Sequence, residues 1–432
     1  MIKAREDERV IGIEVFYTNT HGIGGKLRKS AEDFVVEEVS SPPSKDEDGE
    51  YTIARIKAKN WETNRLIRRL SRRLGISRKK IGFAGTKDKR AITTQLISIK
   101  KPMEDVKEIR MKDFEVLEAY TSRQGLCLGD LIGNRFDILI GDIEYPESEA
   151  EDLVHETLGQ LEVLGGFPNF FGHQRFGTVR PITHVVGQRL IEGDFKGAVL
   201  AYLGNPVEIE GPKAVEARRA IEEGRSFSEA LAIFPKYLGF EKAMLNHLIK
   251  NEDDYIGALT ALPKNLSTMF IHAYQSYLFN RILSQRIEKG LLSTEPLIGD
   301  IVLPVDTNGL PEHKKWIDVT KDNIEKIKKR VAEGKAFISS IVPGAEVKLA
   351  GGEQGEIERM VIEEEEVKPK DFIIPQMREL SSKGTRRALV SHVKDFSCEI
   401  GYEGIKMRFE LMKGCYATAL LREFMKNDIL SY

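Results

Sequence analysis

Ile81-Gly82-Phe83-Ala84-Gly85-Thr86-Lys87-Asp88-Lys89-Arg90-Ala91 is the stretch on which the reading of this 432-residue chain turns. From Arg65 to Arg90 inclusive there are eleven Lys or Arg residues and a single acid, Asp88. Nearby cations favour the charged form of a carboxylate, so Asp88 is expected to stay ionised well below neutral pH. The same cations suit a polyanion. An ionised carboxylate within reach of nucleic acid points to chemistry on that nucleic acid. A surface turn with a salt-bridged aspartate is the plainer reading of the same pattern.

On either side of this stretch the pattern is strand, basic helix, strand. Tyr51 to Lys57 and Ala91 to Ile99 are rich in β-branched residues and partly alternate. Phe136 to Ile140 follows a Gly133-Asn134 turn and reads as a further strand. Between the first two, Thr63 to Leu74 places Leu66, Ile67, Leu70 and Leu74 on one helical face. Arg65, Arg68, Arg69, Arg72 and Arg73 cover much of the rest, which suits either a solvated face or a nucleic-acid contact.

Farther out, Pro146 to Leu164 fits a helix, and Thr320 is a plausible N-cap for a helix through Val331. Glu363 to Lys370 reads as a solvated loop. Ile405 to Leu411 alternates like a strand, and Tyr416 to Phe424 is helical in composition. Strand-rich ends around a helix-rich middle, about 185–375, predict an α+β domain interrupted by an inserted one.

Length sets a prior of about three domains, and an apolar content of 41% allows a large core. The net charge is only −2, yet Glu353 to Glu366 holds seven acids while the first third is basic, so local sign matters more than the total. Cys127, Cys398 and Cys415 have no paired spacing, which argues against a disulfide framework or a Cys-rich zinc site. The eight histidines show no ligand spacing, and no metal is expected. No apolar run reaches the roughly 20 residues that span a bilayer, and the charged N-terminus lacks a signal-peptide core. A cytoplasmic protein is expected.

Phosphate-loop chemistry fits poorly. Gly22-Ile23-Gly24-Gly25-Lys26 lacks GxxxxGK[ST] spacing, and Thr86-Lys87-Asp88 has its acid one residue early for a base-reading TKxD. Asn169-Phe170-Phe171-Gly172-His173-Gln174-Arg175-Phe176-Gly177 mixes rings, amides and a cation as a site for an unstacked base would. A tight turn with core phenylalanines is the alternative, and for Phe176 the better one. Tyr274, Tyr277, Leu278 and Arg281 fall at helical spacing as a packed stripe, with His272, Gln275 and Asn280 able to satisfy neighbouring backbone. Lys383-Gly384-Thr385-Arg386-Arg387 could contact phosphate or form a surface turn.

Taken together and in order, these segments closely resemble the TruD family of tRNA pseudouridine synthases, in an archaeal-type form. The matching residues are Glu32 to Glu37, Phe83 to Ala91 with Thr94-Gln95, Gly133 to Phe136, Asn169 to Gly177, Leu278 to Asn280, Arg386 to Ala388, and Gly414 to Thr418 with Arg422-Glu423. The resemblance implies a fold in which a pseudouridine-synthase-like catalytic domain (1–184 plus 376–432), with a mixed, largely antiparallel sheet, is interrupted by an inserted α/β TRUD domain (185–375). It implies isomerisation of a tRNA uridine, at position 13, with Asp88 matching the catalytic aspartate. Phe171 matches the aromatic that stacks on the target base, Asn169 a neighbouring position, and Lys87 and Arg28 are expected beside them as substrate-binding residues. The family often has Lys where Arg28 stands; Lys26 and Lys29 flank it, so the cation that meets Asp88 is open. Arg65, Arg68, Arg69, Arg72, Lys89, Arg90 and Arg175 are expected to hold RNA. Residues 206–260 look longer than in compact relatives. The resemblance further implies a monomer with tRNA as its partner, no obligate protein partner, no membrane and no cofactor.

Pseudouridine formation breaks the N1–C1′ bond, turns the uracil and rejoins it through C5. No atom is added and no electron transferred. One carboxylate suffices, either attacking C1′ or taking a sugar proton. A hydrolase would want a second carboxylate to activate water, and the sequence around Asp88 has none. A non-catalytic RNA-binding or RNA-chaperone protein is the competing reading. It leaves unexplained an acid between Lys87 and Lys89 that would only weaken binding.

Overall fold

The computed structural model describes residues 2–87 and 89–432. It divides into two compact units, Thr20–Phe167 with Ser391–Asn427 and Ser431–Tyr432, and Met1–Asn19 with Pro168–Val390 and Asp428–Leu430. The second unit takes in more chain than the segment of shifted composition, including the opening residues.

The first unit is organised by a nine-stranded sheet. Its main path runs Lys394–Gly401, Gly404–Met412, Leu131–Ile143, Phe34–Ser40, Ile92–Ile99, Tyr51–Lys59, Phe114–Ser122. Gly24–Lys26 adds to Leu131–Ile143 and Ile81–Phe83 to Ile92–Ile99. Among the described pairs, Phe34–Ser40 with Ile92–Ile99 is parallel and the others antiparallel, so the sheet is mixed and largely antiparallel. The basic helix Thr63–Arg73 buries Leu66, Ile67 and Leu70 against Ala54, Ile56, Ile97 and Ile99 of this sheet. Glu62 starts it by accepting from the backbone N–H groups of Asn64 and Arg65, two of the donors a helix leaves open at its first turn.

The second unit wraps helices around a four-stranded antiparallel sheet in the order Ile317–Asp318, Ile301–Pro304, Ala336–Val342, Thr385–Ala388. Its central helix is Lys264–Glu288, with Phe270, Ile271, Tyr274, Leu278 and Ile282 in the core. Thr183–Ile191 crosses it at Gly187, where a Cβ would lie 2.0 Å from the Phe270 carbonyl oxygen. Only glycine admits that approach.

Three expectations need correction here. Gly133-Asn134 is not a turn but part of the strand Leu131–Ile143, paired on both sides. The helix after Thr320 runs Ile324–Ala332, and Thr320 does not cap it; Asn323 Oδ1 instead accepts from the Thr320 N–H, so a turn precedes the helix. The Glu363–Lys370 stretch is largely exposed but is not a solvated loop throughout: Glu363 and Glu364 end the helix Gly352–Glu364, and Glu365 is tied down by the Tyr274 and Tyr277 hydroxyls and by Arg281. The stripe on Lys264–Glu288 explains this, because its polar tips converge on one carboxylate. Thr63–Arg73, Glu147–Leu164, Gly404–Met412 and Ala417–Met425 lie where the sequence pattern puts them, within a residue or two. Among the described residues no helix is long and apolar enough to cross a membrane.

His184 is buried in this unit, stacked on Tyr277 with ring centroids 5.2 Å apart and edge-on to Phe176 at 5.4 Å. Burial lowers its pKa from 6.5 to about 4. The folded state therefore refuses a proton that the unfolded chain accepts. Stability should be fully present above pH 6.5 and fall by about 3 kcal/mol as the pH drops to about 4. Denaturant unfolding at stepped pH should show a shallower acid limb in His184→Phe than in the parent; equal limbs would assign the loss to other groups.

Candidate functional site

Asp88 lies outside the described residues, but the turn that leads to it is well defined. The Lys87 N–H donates to Thr63 Oγ1 at 2.8 Å, tying the Gly85-Thr86-Lys87 turn to the first residue of the arginine helix. Lys87 Nζ donates to Glu38 Oε2 at 2.8 Å, with side-chain exposures of 4% and 1%. Lys87 was expected at the substrate; its ammonium is instead spent on a buried carboxylate. The sequence offers no second acid near Asp88, whereas the fold brings one from the parallel strand Phe34–Ser40 to the adjoining residue. Because Lys87 neutralises it, Glu38 is a structural partner rather than a free base.

The sheet beneath this pair is polar. Glu38 lies opposite Asn134, and one residue along both strands from the Glu37–Thr94 pair it meets the level of Gln95. Gln95 is 3% exposed, and among the described residues neither of its amide atoms is hydrogen-bonded and the buried Asn134 Oδ1 has no partner. Such groups are costly and few in a folded protein, so their gathering under one turn marks the place. Of the three cations whose pairing was open, Lys29 donates to Asp142 Oδ1 at 2.8 Å. Arg28 adopts a left-handed backbone, φ 57°, and sets its guanidinium 4.0 Å from the Phe34 ring centroid.

The Thr63–Arg73 helix exposes Arg65, Arg68, Arg69, Arg72 and Arg73, and Lys89 and Arg90 are exposed after Asp88. Together with Trp61, Arg110, Met111 and Lys112, the helix arginines line a groove of about 630 Å³. Among the described residues none of these five arginines has an ion-pair partner, whereas cations elsewhere on the surface, such as Lys29, Lys59, Arg123 and Arg408, are paired. A run of cations left without counter-charges is the electrostatic footprint of a polyanion site.

Asn169, Phe171 and Arg175 come together in the 168–390 unit. The backbone of Phe171 is held from both sides by Asn280, whose Oδ1 accepts from the Phe171 N–H at 2.9 Å while Nδ2 donates to the Phe171 carbonyl at 3.1 Å. Arg387, 9% exposed, lays its guanidinium 4.1 Å from the Phe171 ring centroid. It also donates from Nε to the Asn169 carbonyl at 3.0 Å and from Nη2 to Asn169 Oδ1 at 2.6 Å. Asn169 Nδ2 donates to the Ala388 carbonyl, so both polar atoms of this amide are engaged in framing the platform. Phe171 itself is half-buried, while Phe170 and Phe176 are core. Neither arginine of the Arg386-Arg387 pair is on a surface turn, because Arg386 is fully buried against Glu358. Glu38 and Arg387 were not singled out for these roles from sequence, since they act on partners 49 and 218 residues away; Asn280, expected to satisfy neighbouring backbone, does so at Phe171. Among the described residues no cluster of His, Cys, Asp or Glu could hold a metal ion.

A family model described as "TruD: tRNA pseudouridine synthase D (TruD)" matches residues 10–424. The chain belongs to the TruD family of tRNA pseudouridine synthases. It is 42% identical over 433 residues to the "Probable tRNA pseudouridine synthase D" of Methanosarcina barkeri, covering 98% of both chains. It is 40% identical to the protein of that name from Thermococcus sibiricus, covering 95% of this chain and 97% of that one. A crystal structure of a "Putative tRNA pseudouridine synthase D (TruD)" from Methanosarcina mazei superimposes with a TM-score of 0.86 at 41% identity, over 100% of both chains. TruD membership therefore extends over both compact units.

The Glu38–Lys87 pair has a direct test. Glu38→Gln strands a buried ammonium, a loss of about 3–5 kcal/mol when one member of such a pair is removed. Thermal unfolding should show a large Tm drop in Glu38→Gln and most of it restored in Glu38→Gln/Lys87→Met, which removes both charges. Equal Tm values in the single and double variants would separate the two residues.

Proposed function

We propose that this chain isomerises a uridine of tRNA, that at position 13, to pseudouridine, with Asp88 as nucleophile at C1′ or as base toward the sugar. The observation that carries the reading is the family match over residues 10–424, which spans every residue named here. The geometry supports it: the turn before Asp88 is pinned by a desolvated ion pair, and Phe171 is held by side chains that fix both its backbone and its ring. In this reading residues 1–184 and 376–432 form the catalytic domain and 185–375 the inserted TRUD domain.

Extruding the base costs a few kcal/mol of unstacking. Stacking on Phe171 contributes about 1–3 kcal/mol, and phosphate contacts to Arg65, Arg68, Arg69, Arg72, Lys89, Arg90 and Arg175 offset the rest. Arg28 is a substrate-binding cation in this reading, while Lys87 and Asn169 act by positioning their neighbours. The rearrangement conserves atoms and electrons, so acid–base and nucleophilic groups of the chain are enough. The enzyme acts as a cytoplasmic monomer with tRNA as its partner.

Asp88→Asn should bind tRNA as the parent does and release no tritium from tRNA labelled at uridine C5. Turnover at the parental rate would remove Asp88 from the reaction. The arginine helix is tested separately by replacing Arg68, Arg69 and Arg72 with Gln. This should raise KM while leaving kcat, and flatten the slope of log affinity against log salt by about 2–3. An unchanged slope would place the RNA elsewhere.

A further inference from the structure

Phe171 also lines a cavity of about 420 Å³ within the 168–390 unit, together with Arg175, His272, Thr385 and Arg387. No carboxylate is among the described residues that line it. Arg175 donates from Nε to Ser276 Oγ at 3.2 Å, and among the described residues its terminal guanidinium nitrogens are left unengaged. Its charge centre lies 5.8 Å from the Phe171 ring centroid, with Arg387 at 4.1 Å. Burial and the charge of Arg175 lower the pKa of His272, so at neutral pH its ring is uncharged and has one N–H to give. Thr385, at the start of the Thr385–Ala388 strand, adds a hydroxyl.

The cavity thus joins two guanidiniums and an excess of donors to one aromatic wall. That combination suits an anion with several acceptor oxygens attached to a flat ring. A nucleotide has this form, because its phosphate is tethered to its base through a single ribose. A base lying on Phe171 therefore carries its own linkage into the same space. We infer that this cavity is a phosphodiester subsite, in which Arg175, with His272 and Thr385, binds the backbone linkage adjoining the nucleobase that stacks on Phe171. The inference rests on the base-stacking reading of Phe171.

A thermodynamic cycle tests it. Two tRNA substrates each carry one neutral methylphosphonate, at the linkage 5′ or 3′ to the target uridine. With the parent protein, one of the two should raise KM about tenfold at unchanged kcat, the loss of one charge-assisted contact. With Arg175→Gln, KM for unmodified tRNA should already be raised about tenfold, and the same methylphosphonate should add less than about twofold, as coupled partners require. Thr385→Val, isosteric on its strand, should show the same non-additivity on a smaller scale and decides the matter if Arg175→Gln does not fold. Equal losses in parent and variant, or no effect of either methylphosphonate, would overturn the subsite. Failure of the base-stacking reading would look different, since Phe171→Ala would then leave turnover of unmodified tRNA unchanged.

Discussion

A lysine ammonium and a glutamate carboxylate share a site with almost no water, and the turn ending at residue 87 depends on them. Burying two charges is costly and is tolerated only when each satisfies the other at close range. Glu38 reaches Lys87 because Phe34–Ser40 runs parallel to Ile92–Ile99 in the middle of the sheet. A parallel neighbour needs a long crossover, and that crossover contains the arginine helix and the turn itself. The connection that makes the parallel pair possible is thus also the part of the chain bearing the motif. The hydroxyl of Thr63 completes the arrangement by taking the Lys87 N–H, so helix and turn hold one another.

The 168–390 unit solves a similar problem with arginines. Arg386 is fully buried against Glu358, and Arg286 against Asp300. Arg387, next to Arg386 on the strand Thr385–Ala388, instead holds Asn169 and flanks Phe171. A guanidinium is suited to this, because its planar fork can stack on a ring and donate sideways at once. The Asn280 amide fixes the Phe171 backbone from the central helix. An aromatic platform held at ring and backbone has little freedom left to lose when a base stacks on it.

Charge is used in two ways across the chain. Inside, every large cation named above meets a carboxylate, carbonyl or ring. On the arginine helix the cations face outward and, among the described residues, have no counter-ion. Unpaired surface charge does nothing for folding and repels itself, so its persistence on one face is better explained by a ligand that supplies the opposite sign.

The sequence by itself determined the helix of arginines over a leucine stripe, the strands on either side of it, the packed stripe of Tyr274, Tyr277 and Leu278, and the motifs that name the family. These are local: they depend on 3.6- and 2-residue periods and on short runs, which neighbouring residues dictate. Only the tertiary structure decided that Lys87 faces Glu38, that Arg387 rather than a surface turn meets Phe171, and that the acid-rich segment is a helix whose end gathers tyrosine hydroxyls. Those contacts join residues far apart in the chain. Their partners are selected by which strands lie side by side and by the cost of leaving a buried charge alone, and neither is written in a local pattern.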